Sequence, residues 1–270
     1  MDNSGCFELD WGGNMGTRTI YIGVANQKGG VGKTTLAIHA AAWLSRKNYR
    51  VCIVDADPQG NATSWLLREI PDSNGLVQLL ISRQPVIKSW QVVRGEWNMA
   101  LIPGNWETGK ALAYLCDGQT PFNAVRGLLH KLDGVVDYVL IDMPPSRNVG
   151  FLELLYACDL VLVPTDLARF GVEGIYLMAQ ALGDIAKVHG SAPRLLGVVP
   201  NKFRNTKIEK ARLVQLVNQF GPAVWPPVPL AVAVQEACGG GQSLFETAPG
   251  EKVTRAMVKV CKRLEENSQG

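Results

Sequence analysis

The chain has 270 residues, 47% hydrophobic and 19% charged, which is the composition of an ordinary globular protein with enough apolar material for a core. No apolar run reaches the ~18 residues of a membrane span, and the N-terminal segment lacks the basic and apolar regions of a signal peptide. Six cysteines without a CxxC pair favour reduced thiols over a secreted, disulfide-bonded fold. We therefore expect a cytoplasmic protein.

The net charge of +3 is distributed unevenly along the chain. Residues 1–186 carry 15 Lys and Arg against 18 Asp and Glu, whereas residues 187–270 carry 12 against 6. A basic C-terminal third indicates either a surface that binds polyanions or an ordinary solvated surface. Charge alone leaves both interpretations open.

The predicted elements alternate between strands and helices. Residues 19–26 form an apolar, β-branched run that predicts a buried strand, and residues 34–47 predict an alanine-rich helix after a glycine-rich turn. Further strands are predicted at 51–57, 97–105, 135–142, 159–166 and 194–201. Further helices are predicted at 73–82, 121–132, between 142 and 159, and at 171–190, 207–220 and 252–266.

Near-continuous apolar strands separated by helices predict an α/β fold with a doubly wound, mostly parallel sheet and helices on both faces. We expect a single domain at residues 19–265, a mobile N-terminal lead-in at 1–18 and a short tail at 266–270. The proline-rich stretch 224–230 indicates a rigid loop inside this domain.

The segment "KGGVGKTT" (28–35) lies between the first predicted strand and the first predicted helix, which is the setting of a phosphate-binding loop. Backbone N–H groups at a helix N-terminus attract anionic oxygens, and glycines allow close approach. Lys33 is placed to reach the β- and γ-phosphates, and the Thr34 hydroxyl to ligate Mg²⁺. The usual pattern G-x-x-x-x-G-K-S/T is not fully met, because Gln27 stands at the first glycine. A second lysine, Lys28, precedes Lys33.

This segment resembles the deviant Walker A motif of the ParA/MinD superfamily of P-loop ATPases. "VDADPQGNATS" (54–64) and "IDMPPS" (141–146) are similar to the superfamily's next two motifs. "ANQKGGVGKTT" and "DADPQGNAT" together resemble the ParA (Soj-like) branch, which partitions plasmids and chromosomes. The resemblance extends from about residue 19 to 265 and is strongest in the first 65 residues and at 141–146.

The resemblance implies ATP hydrolysis as the activity, with ATP and Mg²⁺ as cofactors. It places the nucleotide phosphates against Gly29, Gly30, Val31, Gly32, Lys33, Thr34 and Thr35. It also implies that Lys28 crosses the interface of an ATP-bound homodimer to the partner's nucleotide, where an added cation stabilises the transferring phosphoryl group. The alternative for Lys28 is a solvated loop lysine.

Three carboxylates complete the implied site. Asp142 ends a predicted strand at the edge where such sheets bind ligands, and it resembles the Walker B aspartate that holds Mg²⁺ through water. The resemblance implies that Asp57 positions the attacking water and that Asp55 supports the metal shell; the alternative for Asp55 is a strand-end cap. The candidate metal ligands are therefore Thr34, Asp55 and Asp142, and the candidate catalytic residues are Lys28, Lys33 and Asp57.

Two features after residue 200 extend the prediction. Asn201 ends a predicted strand where the superfamily often places an adenine-contacting residue, and a turn asparagine is the alternative. Arg204 aligns with an arginine that ParA relatives use for non-specific DNA binding, whereas Ala233 stands where a second such arginine is usual. The residues expected to contact DNA phosphates without sequence preference are Lys202, Arg204, Lys207 and Lys210.

The resemblance implies a DNA-segregation or cargo-positioning ATPase that binds DNA as an ATP dimer and is released by hydrolysis. A ParB-like or analogous adaptor is the expected partner, and the ATP-bound protein is expected on the nucleoid. The alternative is a MinD-like membrane-associated positioning ATPase, which requires an exposed amphipathic C-terminal helix. The apolar residues at helical spacing here are expected to pack on the domain instead: Val253, Met257, Val260, Cys261 and Leu264.

A third class is an iron–sulfur reductase of the nitrogenase type. It would need cysteines beside residues 141–146 to hold a cluster between subunits. That motif contains no cysteine, and the sequence around Cys116 and Cys158 is not glycine-rich. We therefore expect no cluster.

Overall fold

The structure is a computed structural model that describes residues 18–67, 75–80, 91–93, 99–114, 123–168 and 171–269. Within these residues one sheet contains β1 (Ile20–Val24), β2 (Val51–Asp55), β3 (Gln91–Val93), β4 (Met99–Ile102), β5 (Tyr138–Asp142), β6 (Leu160–Asp166) and β7 (Arg194–Asn201). The spatial order is β3-β4-β2-β5-β1-β6-β7. All neighbouring strands run parallel except the edge pair β3 and β4, which is antiparallel.

Helices lie between the strands and also follow β7, the last strand. In chain order they are α1 (Lys33–Arg46), α2 (Asn61–Leu66), α3 (Gly75–Leu80), α4 (Thr108–Tyr114), α5 (Ala124–Leu129), α6 (Val149–Tyr156), α7 (Gly171–His189), α8 (Lys207–Phe220), α9 (Ala233–Gly239), α10 (Leu244–Thr247) and α11 (Lys252–Ser268). Short 3₁₀ turns lie at His130–Leu132 and Gly221–Ala223.

Helices cover both faces of the sheet because successive strand residues point to opposite sides. On β5, Val139 and Ile141 join a core that includes α3, α5, α6 and α7. Tyr138 and Leu140 of the same strand join a second core that includes α1 and α11. This two-sided burial explains the near-continuous apolar strands, and it confirms the predicted doubly wound α/β fold.

The parallel register brings the carboxyl ends of the strands to one edge of the sheet. Asp142 on β5 lies opposite both Val24 on β1 and Asp55 on β2. On the neighbouring strands, Asp166 of β6 lies opposite Asn201 of β7. The loops after β1, β2, β5, β6 and β7 therefore meet at this edge, which is where ligands bind in open α/β sheets.

The C-terminal helix packs on the domain as predicted. The five apolar residues noted in the sequence, from Val253 to Leu264, are all buried, and they belong to the core that includes α1. α11 continues to Ser268, whose hydroxyl lies 3.2 Å from the Tyr138 hydroxyl, so the boundary predicted at residue 265 falls inside this helix. Among the described residues, no helix combines the length and apolarity needed to cross a bilayer.

Parts of the prediction fall outside the described residues. These include the N-terminal lead-in up to residue 17 and portions of the elements expected at 73–82, 97–105 and 121–132. The domain limits therefore stay predictions.

Candidate nucleotide-binding site

The glycine-rich loop joins β1 to α1 at the carboxyl edge of the sheet. Gly30 and Gly32 have φ angles of 72° and 94°, in the left-handed region that favours glycine. A Cβ atom at Gly32 would also overlap the Asn201 side-chain amide. Gly32 is the N-cap of α1, and no described side chain caps this helix. The first N–H groups of α1 are therefore positioned to bind an anion.

Lys33, the first residue of α1, is buried at this edge. Its Nζ atom lies 3.5 Å from the carbonyl oxygen of Lys28. Burial lowers the pKa of the Lys33 ammonium below its usual value, whereas the charges of Asp142 and Asp57 raise it. A buried ammonium beside two carboxylates and a helix N-terminus is suited to bind a phosphate.

Thr34 and Asp142 are in direct contact, although 108 residues separate them. The Thr34 hydroxyl donates to Asp142 Oδ2 at 2.6 Å. The other carboxylate oxygen, Oδ1, is buried and has no hydrogen-bond partner among the described residues. Burial, with the nearby Asp55 charge, raises the pKa of Asp142 well above its usual value. These hard oxygen donors and the orphaned buried oxygen fit a Mg²⁺ ion, which would relieve the excess negative charge.

Asp55 stabilises the first turn of α2. Its Oδ2 atom accepts hydrogen bonds from the backbone N–H and the hydroxyl of Thr63, both at 2.7 Å. The same hydroxyl accepts from the Gly104 N–H at 2.9 Å. Burial raises the pKa of Asp55 to about 6. The structure thus shows that Asp55 binds the first turn of α2, and a role in the metal shell stays a prediction.

Asp57 lies just beyond β2, in the turn that leads into α2. It is buried, and its Oδ1 atom accepts from the Gln59 N–H at 3.0 Å. The turn holds the Asp57 carboxylate close enough to Lys33 and Asp142 to affect the pKa of both. The predicted role of Asp57 in positioning water requires a carboxylate close to Lys33 and Asp142.

Asn201 binds the phosphate loop. Its side-chain amide donates to the carbonyl of Val31 at 2.8 Å, and the residue is buried at the end of β7. Asn201 is therefore not a simple turn asparagine, because it fixes the backbone of the loop. The proposed adenine contact stays a prediction.

The two lysines of the loop have different environments. Lys33 is buried, whereas the side chain of Lys28 is 34% exposed. The Lys28 ammonium contacts both carboxylate oxygens of Asp166, at 2.8 and 2.7 Å. Sequence reasoning missed Asp166, although its position at the end of a predicted strand placed it at the same edge as Asp142.

A second, basic site lies beyond β7. An open cleft of about 700 Å³ is bounded by residues 203–205, the proline-rich segment 226–230 and α11. Four cationic side chains line it: Arg204, Lys252, Arg255 and Lys259. Of the residues predicted to bind DNA, Arg204 lines this cleft, whereas Lys202, Lys207 and Lys210 are exposed outside its lining. Sequence reasoning missed the three α11 residues, whose i, i+3, i+7 spacing is a readable signal.

Cys158, considered in the sequence as a cluster ligand, is buried in the core, where its thiol donates to the Leu154 carbonyl at 3.3 Å. Cys116 lies outside the described residues. The described part of the chain shows no cluster of three or more potential metal-binding His, Cys, Asp or Glu side chains.

Comparison with known proteins agrees with this geometry. The family model described as an AAA domain (AAA_31) matches residues 19–192. The chromosome-partitioning ATPase Soj of Thermus thermophilus is 35% identical over 230 residues, which cover 84% of this chain and 88% of the relative. The chromosome partitioning protein ParA of Caulobacter vibrioides is 34% identical over 235 residues, covering 83% and 85%.

Solved structures share the fold. A variant of Cyanothece McdA in complex with ATP superposes with a TM-score of 0.84 at 23% identity, covering 93% of this chain and 98% of that chain. Cobyrinic acid a,c-diamide synthase from Mycobacterium smegmatis, with bound ADP and magnesium, has a TM-score of 0.78 at 27% identity, covering 93% and 96%. The comparisons confirm an ATPase with ATP and Mg²⁺ as cofactors. The chain belongs to the ParA/MinD family of P-loop partition ATPases.

Proposed function

We propose that this protein is a ParA-type ATPase that segregates DNA or positions a cargo. ATP joins two copies into a homodimer, the dimer binds DNA without sequence preference, and hydrolysis releases it. The observation that carries the proposal is the different placement of two lysines in one loop: Lys33 is buried beside Asp142, whereas the Lys28 side chain is partly exposed. Lys33 can serve the nucleotide of its own protomer, while Lys28 can reach that of a second copy.

The chemistry divides between the loop and the carboxylates. Backbone N–H groups of residues 29–35 and the Lys33 ammonium bind the phosphates. Thr34 and Asp142 would hold Mg²⁺, with Asp55 in support, and the ion would supply positive charge to the phosphate oxygens. Asp57 orients the water that attacks the γ-phosphate. In this arrangement Lys28 adds a cation from the second protomer, so that dimerisation and hydrolysis are linked.

The basic cleft is the proposed DNA surface. Arg204 and the α11 residues Lys252, Arg255 and Lys259 all line this cleft, so a phosphate backbone bound there would meet several cations. The nearby exposed residues Lys202, Lys207 and Lys210 extend the positive surface along α8. Because phosphate contacts carry no sequence information, binding should be non-specific.

Salt-dependent DNA binding tests this proposal. In the presence of ATP and Mg²⁺, two unrelated duplexes should bind with equal affinity, and log affinity should fall with log salt by about 0.9 per phosphate contact. Arg204→Glu and Lys259→Glu should weaken binding to both duplexes and reduce that slope, and Lys210→Glu reports the contribution of α8.

Lys187→Glu is the matched control, because Lys187 is an exposed lysine of α7 outside the cleft lining. It should bind DNA as the parent does. The DNA proposal fails if the cleft variants also bind like the parent, or if one duplex is strongly preferred.

The partner and location follow from the family. We propose a ParB-like or analogous adaptor that stimulates hydrolysis, and a nucleoid location for the ATP-bound dimer. The names of the Soj and ParA relatives support a role in chromosome partitioning, in which such a partner and location are expected. A MinD-like membrane association is not favoured, because the apolar face of α11 is buried in the core.

A further inference from the structure

The phosphate loop is fastened to the end of β6 by two side chains. The Asn26 amide donates to the Pro164 carbonyl at 2.8 Å, and its Oδ1 atom accepts from the Lys28 backbone N–H, also at 2.8 Å. Lys28 lies two residues after Asn26, and Asp166 lies two residues after Pro164. The Lys28 ammonium contacts both carboxylate oxygens of Asp166. Asn26 thus fixes the backbone of the loop, whereas the Lys28–Asp166 contact fixes only a side chain.

We infer that Asp166 is an intramolecular latch on Lys28. It holds the ammonium within its own protomer, and the pair must open before Lys28 can reach a nucleotide bound by a second copy. This inference rests on the proposed function, in which Lys28 acts in trans.

The contact has the properties of a releasable latch. The side chains of Lys28 and Asp166 are 34% and 26% exposed, so water can replace either partner when the pair opens. The backbone on both sides is held independently, since Asn26 binds Pro164, and Asn201, opposite Asp166 in the sheet, binds the Val31 carbonyl. Release therefore requires a change of the Lys28 side chain and no rearrangement of the loop.

The latch has a definite effect on assembly. A partly exposed ion pair shifts an equilibrium by up to about fivefold, so opening one pair in each of two protomers weakens the dimer by up to about 25-fold. The Asp166 carboxylate also repels the phosphates that Lys28 is proposed to approach. Both effects oppose dimerisation, and the proposed contact of Lys28 with the nucleotide of the second copy must offset them.

Sedimentation equilibrium of the full chain with Mg²⁺ and AMP-PNP tests the latch. Asp166→Asn removes the charge with little change of shape and should tighten the dimer Kd by about 2- to 25-fold. Asp166→Glu keeps the charge and should behave like the parent. Asp184→Asn is the matched control, because it breaks the exposed Asp184–Lys187 pair on α7 and should leave the Kd unchanged.

Nucleotide affinity is measured separately, at protein concentrations too low for dimerisation, so that tighter nucleotide binding is not mistaken for tighter assembly. The inference is overturned if Asp166→Asn dimerises no more tightly than the parent while binding nucleotide normally. A parent that does not dimerise with AMP-PNP would instead overturn the proposed trans role of Lys28.

Amine labelling tests the ion pair without relying on dimerisation. Acetylation of Lys28 by an N-hydroxysuccinimide ester, followed by mass spectrometry of the nucleotide-free protein, should be several-fold faster in Asp166→Asn than in the parent. Acetylation of Lys110, an exposed lysine far along the chain, should be equal in both. Equal Lys28 labelling would show that Asp166 does not hold this amine in solution.

Discussion

At the scale of single residues, the site depends on charges that are buried together. Asp55 and Asp142 are neighbours across β2 and β5, and burial raises the pKa of both carboxyls. Lys33 lies close enough to lower the pKa of Asp142, and burial lowers its own. Such a cluster is costly without a ligand, because buried charges lose their hydration. In the proposed site, Mg²⁺ would compensate the carboxylates and a phosphate would compensate the lysine, so we expect the cluster to favour the complete nucleotide complex.

Lys33→Ala should abolish ATP binding. The substitution removes a buried, charge-assisted donor to the phosphates, and the loss should exceed about 100-fold in affinity. Fluorescence titration with a labelled ATP analogue measures it, and Lys110→Ala, at an exposed lysine, is the control. An affinity within about twofold of the parent would show that Lys33 does not bind the nucleotide.

At the scale of elements, the buried parallel strands and the long helices were predictable because their apolar patterns are long and continuous. The short elements β3, α2, α4, α9 and α10 were not predicted, since three to seven residues show no clear period. α2 depends on a tertiary contact, because Asp55 binds Thr63 in its first turn. A contact of this kind leaves no local pattern in the sequence.

His39 shows how two helices are joined beneath the phosphate loop. Its Nδ1 atom donates to the Thr35 carbonyl at 2.7 Å within α1, and its Nε2 atom accepts from the Leu244 N–H at 3.1 Å at the start of α10. The Nε2 contact requires a neutral imidazole, because a protonated Nε2 atom cannot accept a hydrogen bond. Complete burial lowers the pKa of His39 to about 4.

The contribution of His39 to the stability of the fold should therefore fall in mild acid. The pKa of His39 is lower in the folded chain than in the unfolded chain, so its contribution is present above about pH 6.5 and is lost as the pH falls toward 4, by up to about 3 kcal/mol. Urea unfolding at several pH values measures the free energy of unfolding as a function of pH. Between about pH 4 and 6.5, His39→Gln should reduce the slope of this curve by the equivalent of up to about one proton taken up on unfolding. Equal slopes in parent and variant would contradict the buried, neutral histidine.

At the scale of the whole molecule, the nucleotide site and the basic cleft are adjacent in the chain. Asn201 binds the phosphate loop, and Arg204, three residues later, lines the cleft.

The motif-based residues Lys33, Thr34 and Asp142 were predictable because each lies in a recognisable segment. Asp166 and the α11 cations were not, because they join the site and the cleft only through folding, with Asp166 lying 138 residues from Lys28.

Lys28→Ala should separate nucleotide binding from assembly. The monomer should still bind ATP, because Lys33 and the loop backbone are unchanged. The dimer, ATP-dependent DNA binding and hydrolysis should be lost, and the rate should fall on the order of 10³–10⁵, the range for cations supplied to phosphoryl transfer. Light scattering with ATP and a phosphate-release assay measure both effects.

Mixing two inactive variants tests the central claim most directly. Lys28→Ala lacks the proposed trans cation, and Asp57→Ala lacks the residue proposed to position water. In a mixed dimer, the Lys28→Ala protomer keeps Asp57 and receives Lys28 from the Asp57→Ala protomer, which completes one site. Equal mixing of the two proteins should therefore restore part of the parental ATPase rate, up to about half if every dimer is mixed, because each mixed dimer contains one complete site out of two. If Lys28 acts within its own protomer, no site is completed, and a mixture no more active than the two variants measured apart would contradict the account.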